Sequence, residues 1–183
     1  MDVLSRLRAT AVAVALITGL TPAAASAQAT LEPDVKATFL YNFTRFIEWP
    51  GPAASSSAPF RLCVVADAAM EQAIKRAVDG EVVNGRPMMM TLPQTTQEAE
   101  ACQILFVGRT EHDRAAPLLT AVRNLPVLTV GESPQFFEHG GAIQFVLVDN
   151  RVRFDVHLPH AQRAHLKISA KLLRVARNVE PIR

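Results

Sequence analysis

Three short apolar runs limit what this chain can fold into. They are FRLCVVAD (60 to 67), QILFVG (103 to 108) and PVLTVGE (126 to 132). Their middles are apolar without alternation, the pattern of strands buried on both faces. Helical patterns follow them at 68–78, ended by Gly80, at 113–125, with Pro117 near its first turn, and at 133–141, ended by paired glycines. A further short helix is predicted at 95–101, where Thr96, Glu98 and Glu100 give an acidic first turn. Strand alternating with helix is the grammar of a parallel sheet covered on both faces. EVVNGRPMMMTL (81 to 92) predicts a strand or loop, a turn at Asn84-Gly85 and a short strand from Met88 to Leu92. Met88 to Met90 read as core filler rather than a metal site.

The chain changes character towards its end. AIQFVLVDNRVRFDVHL (142 to 158) alternates on both sides of Asp149-Asn150, a hairpin turn pair. A helical connection over 159–165 leads to a last helix over 168–178, with Ile168, Leu172, Val175 and Val179 on one stripe. At the other end, Val35, Phe39, Phe43 and Phe46, joined by Leu40 and Ile47, recur at helical spacing from an N-cap at Asp34 to a stop at Pro50. Residues 28–33 read as a loose leader and 51–59 as a flexible connection. The expectation is one three-layer α/β/α sandwich over 28–183, mostly parallel, with a C-terminal antiparallel hairpin.

The first 27 residues carry Arg6 and Arg8, an uncharged apolar run from Ala9 to Leu20 and a small-x-small site at Ala25-Ser26-Ala27. That order is a cleavable secretory signal peptide, and the run falls short of the roughly 20 residues of a membrane span. Export places the chain outside the cytoplasm. Removing residues 1–27 lowers the net charge from +2 to +1, with 17 basic and 16 acidic side chains. A nearly neutral chain lacks the phosphate-neutralising charge of a general nucleic-acid binder. In an oxidising compartment, Cys63 and Cys102 point to one disulfide; the alternative is two buried thiols that never meet.

Ligands of open α/β sheets sit at the carboxyl ends of the strands. There stand Asp67, GRTEHD (108 to 113) and GESP (131 to 134), with no glycine-rich nucleotide loop and no nucleophile elbow. Asp67 imitates a phosphoacceptor, but an exported chain meets no cytoplasmic phosphodonor. His112, His139, His157, His160 and His165 do not cluster at ligand spacing, and Ser169 has no nearby triad partner. A binding module is therefore expected, with no catalytic residue, metal or cofactor. Tyr41, Arg45 and Trp49 lie four apart on the first helix, on a face rotated from the Val35–Phe39–Phe46 stripe. They are the residue types favoured at interaction hot spots; the alternative is that the aromatics are core and Arg45 snorkels over them.

VKATFLYNFTRFIEWP, LCVV, NGRP, CQILFVG, VLTVGE, GGAIQFVLVDNRVRFDVHL and LKISAKLLRVAR follow one another in an order that resembles the YfiR family. The resemblance covers nearly all of residues 34–179. It implies a periplasmic repressor that binds the periplasmic domain of an inner-membrane diguanylate cyclase, limiting cyclic-di-GMP and biofilm formation. It further implies sequestration by an outer-membrane lipoprotein, dimers and redox-dependent activity. Cys63 and Cys102 match one family cysteine pair; a further pair carried by some members is missing. Homologues stand beside other sensors too, including histidine kinases. The expected contact residues are Tyr41, Arg45 and Trp49, with Lys167 and Lys171 as electrostatic helpers. A small-ligand-binding sensor module acting with a histidine kinase or other receptor is the alternative.

Overall fold

The structure, a computed structural model, describes residues 23–51 and 57–181, with side chains from residue 31 onward. Helix α1 (Ala23–Phe43) leads to β1 (Ile47–Glu48), β2 (Phe60–Val65), α2 (Ala68–Val78), β3 (Val82–Val83), β4 (Arg86–Thr91), α3 (Thr96–Glu100) and β5 (Ile104–Val107). A 3-10 turn at Arg109–Glu111 opens α4 (His112–Val122). Then come β6 (Leu128–Gly131), β7 (Ile143–Val148), β8 (Arg151–His157), α5 (Leu158–Arg163), β9 (Lys167–Ile168), α6 (Ala170–Val175) and β10 (Asn178–Glu180). Most of the expected export segment, residues 1–22, and most of the 51–59 connection lie outside the described residues.

The main sheet has the order β10-β8-β7-β6-β5-β2-β4-β3. Its centre is parallel, with Leu62 beside Ile104 and Ile104 beside Leu128. The hairpins β3–β4 and β7–β8 are antiparallel. Their turns, Asn84-Gly85 and Asp149-Asn150, each place both residues at positive φ, as two-residue hairpin turns require. Because side chains alternate along a strand, β2 divides its residues between two cores. Leu62 and Val64 join the cluster under α1 and α2, while Cys63 and Val65 join the one under α3 and α4. Helices on both faces give the expected three-layer α/β sandwich.

Phe39 and Phe43 of α1 fix the first core. The Phe43 ring lies 5.3 Å from Phe154 and 6.0 Å from Phe145, the geometry of favourable aromatic pairs. The second core holds the Cys63–Cys102 disulfide, with Cα atoms 5.9 Å apart.

Four expectations need correction. Residues 28–33 are helical, because the alanine-rich stretch favours helix and α1 runs through them. The first helix stops at Phe43, six residues before Trp49. Residues 133–141 form turns, because Phe136 inserts its ring between Gly131 and Gly141, and Gly140 takes φ +99. The last segment is not one helix: six residues of α6 are flanked by two short strands, and Val175 is exposed while Leu172 is buried. There the strand pairing of Val179 with Val156 replaces the helical stripe.

Candidate partner-binding surface

The end of α1 creates the site. Thr44, Arg45 and Phe46 donate their amides to the carbonyls three residues back, at 3.0 to 3.1 Å, and the Thr44 hydroxyl donates to Tyr41 O at 2.7 Å. These tighter bonds end the helix and turn the chain outward. It then runs as β1 antiparallel to β9, with Ile47 opposite Ile168 and Glu48 opposite Lys167. The Ser169 amide closes the ladder onto Phe46 O at 2.9 Å, and the Ser169 hydroxyl caps α6 by accepting from the Leu172 amide at 3.3 Å. A two-stranded ledge thus joins the two ends of the chain.

Of the five expected contact residues, Arg45, Lys167 and Lys171 are exposed, and Tyr41 is half-buried against the first core. Arg45 donates to the Tyr41 hydroxyl at 3.2 Å and lies 5.1 Å from the Tyr41 ring centre, combining a hydrogen bond with a cation–π contact. Lys167 is 84% exposed and 4.0 Å from the Glu48 carboxylate, a pair screened by water. Lys171 is exposed and has no carboxylate partner among the described residues. Trp49 differs from expectation, because the helix ends before reaching it. It is 7% exposed, its ring sits edge-on to Phe60 at 5.1 Å, and its indole N–H donates to Gln103 O at 3.1 Å. It anchors the ledge from below.

Two hollows flank the ledge and share Arg45. One, of about 430 Å³, lies between Trp49, Phe60 and Arg86; the other, of about 160 Å³, lies between Phe46 and Ser169. Arg86 is buried and ties β4 to the chain entering β2 through Ala58 O at 2.5 Å and Pro59 O at 3.0 Å. Burial lowers its pKa below the ordinary guanidinium value. Sequence reading missed Arg86; its place directly after the Asn84-Gly85 turn was the available signal.

The strand ends form a separate crevice of about 250 Å³. Asp67, Arg109 and Glu132 do converge there, as the topology requires, and Lys36 joins them from α1. Lys36 is 5% exposed and pairs with both Glu32 and Glu132, whose second oxygen accepts the Arg109 amide at 3.0 Å. The buried stripe of α1 is therefore Lys36, Leu40 and Phe43, with Val35 40% exposed. This is a rotation from the apolar pattern, made tolerable by two carboxylates. Asp67 is the N-cap of α2, accepting from the Met70 amide at 2.9 Å. Among the described residues, no group of three or more His, Cys, Asp or Glu could hold a metal ion.

The model of the family described as YfiR/HmsC-like matches residues 33–177. No curated protein matches the chain. Among solved structures, the chain is similar in fold to a conserved domain protein from Vibrio cholerae O1 biovar El Tor. The TM-score is 0.56 at 8% identity, over 81% of this chain and 60% of that one.

Proposed function

Because the chain belongs to the YfiR/HmsC-like family, we propose that it is a periplasmic regulatory protein that inhibits a membrane-bound diguanylate cyclase. It binds the extracytoplasmic domain of that enzyme and so restrains cyclic-di-GMP signalling and biofilm formation, itself making or breaking no bond in a substrate. What supports this reading is the family match over residues 33–177, together with the β1–β9 ledge, beside which Arg45 and Lys167 stand exposed. Near-complete switching needs the inactive form of the sensor to be bound more tightly by about 5.5 kcal/mol. An outer-membrane lipoprotein competing for the same chain would relieve the inhibition, and dimers of the chain would present the ledge twice.

Titration of the purified chain against the extracytoplasmic domains of membrane diguanylate cyclases from the source bacterium tests this reading. Binding is expected to weaken with salt. Replacing Arg45, Lys167 and Lys171 together by Glu is expected to slow association about tenfold or more, because exposed charges steer encounter. No binding by the unaltered chain, with cyclase output unchanged in a deletion strain, would sink the reading. A second reading, a small-ligand sensor working with a histidine kinase, is favoured by the crevice at Lys36 and Glu132. It predicts a rise in Tm with a periplasmic metabolite.

A further inference from the structure

Two histidines away from both sites are stacked face to face. The rings of His157, at the end of β8, and His160, in the first turn of α5, lie 3.7 Å apart at 26°. Their hydrogen bonds fix both tautomers. His157 Nδ1 accepts the His160 amide at 3.3 Å and so carries no proton. The other nitrogen, Nε2, lies 3.3 Å from the Glu180 carboxylate on β10 and carries the proton that faces it. His160 Nδ1 lies 2.7 Å from Gly141 O, which can only accept, so it is protonated there, and in the neutral ring Nε2 is bare. His157 is neutral in this arrangement; either charge state of His160 can make the bond to Gly141, and burial with the positive neighbours favours its neutral form.

A second proton on either ring breaks something. On His157 it must go to Nδ1, which removes the N-cap of α5 and sets two N–H groups against each other. On His160 it makes a cation stacked on His157, with Arg163 and Arg123 as further positive neighbours. The Phe137 ring also stands against the pair, 5.5 Å from His157, and the Glu180 carboxylate faces His157 Nε2, where it attracts a charged ring. What the pair holds is the segment that follows β8. α5 passes through the Leu166 amide, bonded to Ala161 O at 2.9 Å, into β9 of the ledge, while β10 lies beside β8 with Glu180 opposite His157.

We infer that His157 and His160 form a pH-sensitive clasp on residues 158–168, closed while both rings are neutral and opened when the pair is charged. Opening loosens α5 and, through it, β9, the half of the ledge opposite β1; β10 stays held by Arg177 and by Glu180, which a charged His157 attracts more strongly. Histidine is the side chain whose ordinary pKa lies where such a switch can act. Burial lowers the pKa of His160, the bond to Gly141 partly offsetting this, and the neighbouring positive groups lower it further. The unfolded chain therefore binds the proton first. The clasp's contribution is complete above the ordinary imidazole value and is lost as pH falls through it towards the lowered one. Its effect on a partner rests on the function proposed above; the clasp itself does not.

The test is hydrogen exchange of the full chain between pH 7.5 and 5, expressed as protection factors, beside an imidazole titration by NMR. Protection over 158–168 is expected to fall severalfold relative to β5 as the pH drops, while β10 keeps its protection. The variant His157→Asn with His160→Gln, which keeps a cap acceptor and a donor without titrating, is expected to hold its protection across the range. Unaltered protection in the native chain, or an unchanged pH response in the variant, would overturn the inference. Should the variant fail to fold, the titration decides. His160 titrating below free histidine supports the clasp, and His160 titrating at or above it excludes the clasp, whether or not any cyclase is bound.

Discussion

Phe136 carries a constraint that two glycines reveal. A Cβ on Gly131 would stand 2.2 Å from its ring, and one on Gly141 would stand 2.1 Å away. The ring is fully buried in the second core and cannot retreat into solvent. Gly131→Ala is therefore expected to destabilise the fold by about 1–3 kcal/mol, the range for overpacking a filled core, read as a lower urea midpoint. An unchanged midpoint would mean that the ring moves freely. Lys36 poses the opposite problem. Lys36→Met removes the cation beside the buried Glu132 carboxylate, and breaking a buried pair costs about 3–5 kcal/mol. Lys36→Met with Glu132→Gln should recover part of that loss, since the amide oxygen still accepts from Arg109. Equal stability of the single and double variants would place no weight on the pair. The paired glycines were visible in the sequence, as was the place of Glu132 at a strand end. Lys36 was not, because one charge between apolar residues reads as a surface position unless its two carboxylates are known to be near.

At the scale of elements, legibility followed how far a segment's partners lie along the chain. Helix α2 was readable because Asp67 caps it locally and Gly80 ends it. Likewise, both hairpin turns announced themselves by residue type. The last segment was misread because distant contacts overrule its helical spacing. Arg177 donates to both carboxylate oxygens of Asp155, at 2.8 Å for Oδ1, and this bond to a buried partner raises the Arg177 pKa. Its backbone amide bonds Phe154 O at 2.8 Å, and residues 178–180 then join the sheet. Arg177→Gln leaves the buried Asp155 carboxylate short of a partner, a loss of about 1–3 kcal/mol. The same change is expected to lower amide protection in β10 before that of β5. Uniform loss across the sheet would show that β10 is not held separately. The first helix ended early for a related reason: β1 has a strand partner 120 residues away in β9, which no local pattern announces.

For the whole molecule, the parallel sheet covered on both faces was legible because an unbroken apolar run marks a strand buried on both sides without knowledge of its neighbours. The disulfide was legible only as a pairing, and its consequences come from where it lies. Cys63 is on the central strand β2 and Cys102 is in the link from α3 to β5, with 0% and 2% exposure. It spans 39 residues that include α2, β3, β4 and α3. Closing a loop of that size restricts the unfolded chain by about 4 kcal/mol, so Cys63→Ala with Cys102→Ala should shift the denaturant midpoint strongly downward without altering the sheet. Burial makes a second demand. A reductant reaches the sulfurs only when α3 and β5 part, so reduction in native buffer should proceed no faster than opening of the second core and should accelerate in urea. Mass spectrometry of alkylated chains sampled over time in dithiothreitol measures this directly. Rapid reduction without denaturant would mean that the second core opens locally at low cost. The bridge would then be a point of redox control over the whole molecule, where slow reduction makes it a fixed part of the frame on which the ledge and the clasp are mounted.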